Sequence, residues 1–500
     1  MAVIAKNEIL APFLSARLNY ITGQDPMGML NIGEQVFSML LPGLTSVTER
    51  IRYYSFYCWL FDWYAREIGS ENPDELYKYV RRAEYLLALI AASQDIGGIA
   101  GITEAKKNYA NELFSLTYGT GEDKGSFDNT YWKDPKGVFG QNYAASLKAI
   151  GVIREREQNS NLYIRTAFAK ENVVSGKEMA LAFTANIEMA PNVHLVFTNA
   201  IKKGDVTKDE IESLQVNFNM KEVPLNSQEN QLLLNMLLGY DLPLQEIVTS
   251  FRNRTTFHYL QLLHQKKSRL SVNEFVLFAY EQQGFLEGEE SETLTAWYYY
   301  QLSQYWHVIN TGGFMHVLNA LHSKSEGSWF VEAQLIDEIT QEVVDLFTTT
   351  FGCTPSTTIN DLPLLEQDNN SISKDVNKKD YAQGLCNAFL LLKKISVENK
   401  DQIVRLTLFA KKHQLESNSD YVAVFSMLEE LTSLPLSEFI PKFIKKYIID
   451  RHQLVAFNKM TNVQTSEKFV REDGLIRFID YVGFDFSNPR LGNQLIFILN

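Results

Sequence analysis

The chain predicts a mainly α, multi-helical protein with one or two small β-hairpins. Three observations carry that expectation. Proline and glycine together make up only 8% of the 500 residues, against about 12% on average, so few points break a helix. Apolar residues recur with helical spacing over long stretches bounded by capping residues. Strand-like alternation is confined to two short stretches, each followed or preceded by helical sequence. At 45% hydrophobic and 21% charged, the chain can bury a sizeable core. Its length predicts two or three domains, at roughly 150 residues each. We expect a helical domain over 1–170, a second over 171–352, a linker over 353–375 and a helical C-terminal domain over 376–500.

The elements follow in order. After turns around Thr22-Gly23-Gln24-Asp25-Pro26, a helical pattern starts at Gly33 and stops at Pro42-Gly43. A second helix is expected over Ser46–Ile68, with Ser46 and Glu49 forming a capping box. It carries eight aromatics within residues 53–64. They cannot share one helix face, so this is a central core helix, with Trp59 and either Tyr57 or Phe56 expected against Leu86, Leu87 and Ile90 of the next. That next helix opens at Pro73 and runs to about Ser93. Residues 138–150 read as a helix capped by Gly151. Val152–Arg156, a turn at Asn159-Ser160-Asn161 and Leu162–Arg165 then read as a hairpin, giving a winged-helix-like outline. Residues 172–350 are mostly helical, with an acidic connector at 281–292. Residues 353–375 are rich in Ser, Thr, Asn, Asp and Pro, as a linker would be. Helices resume to about 460. A second hairpin is expected over Phe469–Phe478, where Asp473-Gly474 suits a type I′ turn. The apolar ending LIFILN is expected to pack on the body.

Several classes are excluded at once. Three widely separated cysteines (Cys58, Cys353, Cys386) cannot form a disulfide framework or a cysteine zinc site. The first twenty residues lack a continuous apolar run with a cleavage site, so a cytoplasmic location is expected. Thr293–Ser323 contains no charged residue, but its many amides, its histidines and Gly312-Gly313 fit a bilayer poorly. It reads as two buried helices meeting at the glycines, and no membrane contact is expected.

Phosphate-cradling loops, HExxH and GxSxG are missing from the sequence. Gly119–Gly125 has glycines but no strand–helix frame, so it reads as a loop. His316 and His322, like His258 and His264, stand six apart. That spacing does not place two ligands on one helix face, and core or surface roles fit better than metal binding. Acidic groups such as Asp205, Asp209 and Glu210, or Glu332, Asp337 and Glu338, read as solvated faces. They are also where a metal-dependent nuclease would have to find its ligands. No cofactor and no catalytic residue is assigned.

The net charge of −13 hides basic segments at 148–170, 251–270 and 439–471. The segment FRNRTTFHYLQLLHQKKSRL (251–270) combines cations, which bind phosphates, with aromatics, which stack on bases. The candidate nucleic-acid contacts are therefore Arg154 and Arg156 of the hairpin with Arg252, Arg254, Lys266, Lys267 and Arg269. The competing readings of 251–270 are a solvated cationic helix face paired with the acidic connector at 281–292, or a contact for a partner protein.

The string LLPGLTSVTERIRYYSFYCWLFDWY (40–64) resembles the opening of a group of uncharacterised bacterial defence-island proteins. These carry an L-[LF]-P-G-x-[ST]…R-x-R-Y-[YF]…W pattern and are encoded beside restriction and anti-phage genes. YVRRAEYLLAL (79–89), GVFGQNYAASLKAIGVI (137–153) and FDFSNPRLGNQLIFIL (484–499) fit the same outline. The resemblance implies a subunit of a multi-gene anti-phage system, acting with other protein subunits, and supplies no reaction or catalytic residues. Arg50, Arg52, Arg81 and Arg82 flank the two apolar helices, where pairing with Glu49 or Glu84 is the structural alternative to binding a ligand. The function expected is thus a non-enzymatic interaction or sensor subunit. The alternatives are a nucleic-acid-binding protein or a metal-dependent nuclease.

Overall fold

A computed structural model describes residues 19–21, 25–44, 48, 50–117, 134–169, 174–190, 192–238, 251–282, 289–364, 369–415, 417–461, 464–483 and 491. The protein is mainly α, as the sequence predicts. Its order begins β1 (Asn19–Tyr20), α1 (Leu30–Leu40), α2 (Arg52–Glu67), α3 (Pro73–Ser93), α4 (Ile102–Asn108) and β2 (Leu113–Ser115). A π-helical turn (Phe139–Tyr143) runs into α5 (Ala144–Ile150), then β3 (Ile153–Arg156), β4 (Asn159–Arg165), α6 (Gly176–Ile187) and α7 (Val193–Lys203). Next come β5 (Asp205–Thr207), α8 (Lys208–Leu214), α9 (Gln228–Leu238), α10 (Phe251–Lys266), α11 (Val272–Gln282) and α12 (Glu289–Ser325). Then follow β6 (Phe330–Val331), α13 (Glu332–Phe351), α14 (Asn369–Asn377), α15 (Tyr381–Asn399), α16 (Ile403–Lys412) and α17 (Tyr421–Thr432). The order closes with α18 (Leu436–Phe443), a π-helical stretch (Ile444–Ile449), α19 (Asp450–Lys459), β7 (Gln464–Thr465), β8 (Phe469–Glu472) and β9 (Leu475–Phe478).

The chain divides into two compact units, residues 1–37 with 276–487 and residues 38–275 with 488–500. The expected boundaries near 170 and 352 fall inside these units. The reason is packing between elements distant in sequence: α2 lies against α6, and α12 against α15. The stretch 353–375 is likewise part of a unit. Thr358 and Asp361 form a capping box, Ile359 is fully buried, and Thr358 bridges to Pro435.

In the 38–275 unit, α2 is the core. Phe56 and Trp59 are buried, as expected, but their ring partners are Phe183, Phe197 and, for Trp59, Phe218. On another side Tyr53 and Tyr57 meet Tyr143, and Tyr57 meets Phe139. The helix begins at Arg52, later than expected, and the proposed Ser46–Glu49 cap lies outside the described residues. Gly43 has φ +76°, and a Cβ there would stand 2.4 Å from Ile150 Cγ1 and 2.8 Å from the Ser146 carbonyl oxygen. Only glycine lets the corner approach α5 this closely. The Asn72 side chain accepts from the Asp74 N–H, with Pro73 opening α3. The expected hairpin is present, but β3 and β4 turn earlier, pairing Arg156 with Asn159 across a bulge at Glu155/Arg156.

In the other unit, α12 is one continuous helix through Gly312-Gly313, where two were expected. The glycines serve neighbours instead of a break. A Cβ on Gly313 would lie 2.5 Å from Ile448 Cδ1, and one on Gly312 would lie 3.0 Å from Ile372 Cγ2. Among the described residues, no helix is long and apolar enough to cross a membrane. The second hairpin, β8–β9, forms as expected, with Asp473 and Gly474 both at positive φ, and β6 joins it as a third strand. The LIFILN ending lies outside the described residues.

Candidate functional site

The hairpin arginines stand beside acids. Arg154 is exposed and lies 3.5 Å from Glu157, while Arg156 reaches Glu71 at 2.6 Å. Lys148 holds Glu155 at 2.8 Å, and Arg165 holds Asp62 at 2.6 Å. Alternating charges along the strands thus close on one another, which lowers the positive field a phosphate backbone would meet. Helix α10 splits its cations in two. Arg252 is only 4% exposed, and its guanidinium donates to the carbonyls of Met236, at 3.0 Å, and Pro42. Burial holds its acidity near a pKa of about 10. It pins the Pro42-Gly43 corner and is not a surface contact. Arg254 is half-buried, whereas Lys266, Lys267 and Arg269 are exposed where the helix ends. Lys266 pairs with Glu274 at 2.5 Å, in the next helix and not in the acidic connector.

The motif arginines also turn inward. Arg52, 2% exposed, meets Glu229 through Nε at 3.2 Å and donates from Nη1 to the Asn219 carbonyl at 2.6 Å. Ser55 Oγ and Asn186 Nδ2 each donate to the same carboxylate at 2.5 Å. A buried ion pair of this kind persists because every lone pair is met. Glu229 was not legible as its partner, being 177 residues away in sequence. Arg82 donates to the carbonyls of Ile201 and Lys202 at the end of α7, and Arg50 donates to Gly97. Arg81 donates to the Pro135 carbonyl. Glu84, 2% exposed, accepts from the N–H groups of Val138 at 2.8 Å and Phe139 at 2.7 Å, and from Tyr57 OH at 2.9 Å. It caps the turn that leads into α5. Burial pushes its carboxyl up to about 8, against the pull of those donors and of Arg81.

No protein-family model, curated protein or solved structure matches this chain. The functional reading rests on the residues themselves. Among the described residues, no three His, Cys, Asp or Glu side chains come together as a metal site. Several of the acids singled out have other employment. Asp205 pairs with Lys203, Glu210 completes the Thr207 capping box, and Glu332 meets Arg471 and Lys445. His258 and His316 are buried, and His322 packs edge-on to Phe478.

Sequence reasoning missed a feature of α16. Val404 and Leu408, one helical turn apart, are 69% and 63% exposed. The signal was available: Leu406, Phe409 and Ala410 supply the buried face, leaving two large aliphatic residues with nowhere inside to go.

Proposed function

We propose that this chain is a non-enzymatic interaction or sensor subunit of a multi-gene bacterial anti-phage system, working in a complex. One observation carries the reading: the charged residues of the LLPGLT…RxRYY motif region close on the protein's own atoms. Arg52 is met by Glu229, Arg82 by two carbonyls, and Glu84 by two backbone N–H groups and a tyrosine. Residues used in this way build a rigid scaffold, and the product of a scaffold is its surface. The outward Val404 and Leu408 fit that role, since large apolar groups left in water gain free energy when a partner covers them. The test is co-expression with the neighbouring gene products, followed by size-exclusion chromatography and phage challenge of a deletion strain. A co-eluting complex and lost protection are expected. A clean monomer with protection intact after deletion overturns the reading.

A second reading, nucleic-acid binding, is favoured by the exposed Lys267 and Arg269 at the end of α10, with Phe257 55% exposed on the same helix. Counterion release then requires affinity to fall steeply with salt, and Lys267→Ala with Arg269→Ala to flatten that slope. Affinity indifferent to salt excludes it.

A further inference from the structure

The three-stranded sheet of β6, β9 and β8 has two unlike faces. Side chains alternate across a strand, and the pairs Phe330–Ile476, Val331–Leu475 and Arg471–Ile476 sort them. On one face Ile476 and Phe469 are buried, and Arg471 is met by Glu332 and Asp450. The other face carries Val331, Leu475 and Arg477, with Val470 opposite Arg477 and Glu472 opposite Leu475. It stands open to water: Trp329, just ahead of β6, is 38% exposed, Val331 46% and Leu475 37%. The Arg477 guanidinium carbon lies 5.1 Å from the centre of the Trp329 ring, so the indole belongs to this face too. Among the described residues no carboxylate pairs with Arg477, and its Nε, shielded from water, makes no hydrogen bond. One hairpin thus holds one arginine fully met and another that is stacked but unanswered.

We propose that this face docks an extended acidic segment of another protein, one that sets a large aliphatic side chain and a carboxylate two residues apart. The indole fixes the plane of the Arg477 guanidinium, whose N–H edge can then take a carboxylate through two parallel hydrogen bonds. Leu475 and Arg477 are two residues apart on β9, about 6.6 Å along the strand. A partner strand with the same period therefore meets both at once. Val331 and Leu475 are directly opposed across the strands, so their side chains form one apolar step for the aliphatic group. Tryptophan and arginine beside such a step are the residues that carry most binding energy at interfaces. A nucleic-acid strand is the poorer fit, because Val331 and Leu475 offer no ring for a base and Glu472 beside them repels a second phosphate.

This extends the interaction reading to a face other than that of α16. The test uses the purified full chain alone, so its failure is distinct from failure of the co-elution and phage assays. Calorimetric titrations would compare acetyl-Thr-Leu-Thr-Glu-Thr-amide with the same peptide carrying Gln for Glu or Ser for Leu, and with oligothymidylate. Saturable binding of the Leu–Glu peptide is expected, with each altered peptide weaker by about tenfold. Arg477→Gln and Trp329→Ala should each weaken the Leu–Glu peptide by about tenfold or more. Arg477→Glu should instead prefer a peptide with Lys in place of Glu, an exchange of preference that general loss of structure cannot produce. Absence of saturable binding, equal binding of the Glu and Gln peptides, or affinity indifferent to the variants overturns the proposal. Oligothymidylate that binds more tightly than the peptide and depends on Arg477 overturns it as well, and assigns the face to nucleic acid.

Discussion

Glu84 shows how one buried group sets a pH dependence. Its ordinary pKa is 4.5, and burial raises it to about 8 in the folded chain. Between those values the folded state keeps a proton that the unfolded state has lost. Stability from this group therefore falls as pH rises from 4.5 to 8, and is flat outside that window. His452 works in the opposite sense. Burial lowers it from 6.5 to about 4, helped by the nearby Lys468 and Lys459 charges and opposed by the hydrogen bond to the Pro26 carbonyl at 3.0 Å. The unfolded state takes up its proton first, so stability drops as pH falls from 6.5 to 4. Glu84→Gln is expected to remove the loss on the alkaline side and leave the loss on the acid side. Thermal melts at half-unit pH steps check this, and an unchanged alkaline slope would show that another group causes it. The ion pair of Arg52 and Glu229 gives a second residue-scale expectation. Glu229→Ala leaves a buried guanidinium uncompensated and should cost about 3–5 kcal/mol in urea unfolding. Replacing both with similar-sized apolar residues should cost much less.

At the scale of elements, legibility followed how local the cause was. The Pro73 helix, the Gly151 cap and the Asp473-Gly474 hairpin are fixed by neighbours in sequence, and all three are where the residues place them. The first hairpin turns earlier than expected, with a bulge at Glu155/Arg156 that the local turn residues do not signal. Gly312-Gly313 was misread for a related reason. Paired glycines weaken a helix only by their own propensity, about 1 kcal/mol each, and the buried surroundings of α12 outweigh that. The expectation for Gly313→Ala is therefore a balance. It improves helix propensity but sets a Cβ 2.5 Å from Ile448 Cδ1, the movable end of a side chain. A net loss of about 1–3 kcal/mol is expected from overpacking. Ile448→Val in the same chain should restore part of it. If Gly313→Ala stabilises the protein, the glycine is not there for close approach.

Across the whole molecule, the buried aromatics of α2 and the exposed aliphatic pair of α16 make opposite demands, and their contrast tests the proposed function. That α2 would be buried was legible, since eight aromatics in twelve positions cannot share one face. Its partners were not, because Phe183, Phe197 and Phe218 come from sequence more than a hundred residues away. The two compact units divide the chain elsewhere than the expected boundaries, because pairing of distant elements leaves no local mark. Trp59→Ala, at a residue 2% exposed, should cost about 3–5 kcal/mol and lower the melting temperature or cause aggregation. Val404→Glu with Leu408→Glu should instead leave stability nearly unchanged. Both side chains stand in water on α16, so charging them should change stability by no more than about 0.5 kcal/mol each. If that face is covered in a complex, two carboxylates there must be desolvated on association, which partner binding cannot offset. The double variant should melt like the parent chain, elute alone where the parent co-elutes with a neighbouring gene product, and lose phage protection. A double variant that still co-elutes and protects removes α16 from the interface, and one that unfolds shows the two residues to be structural.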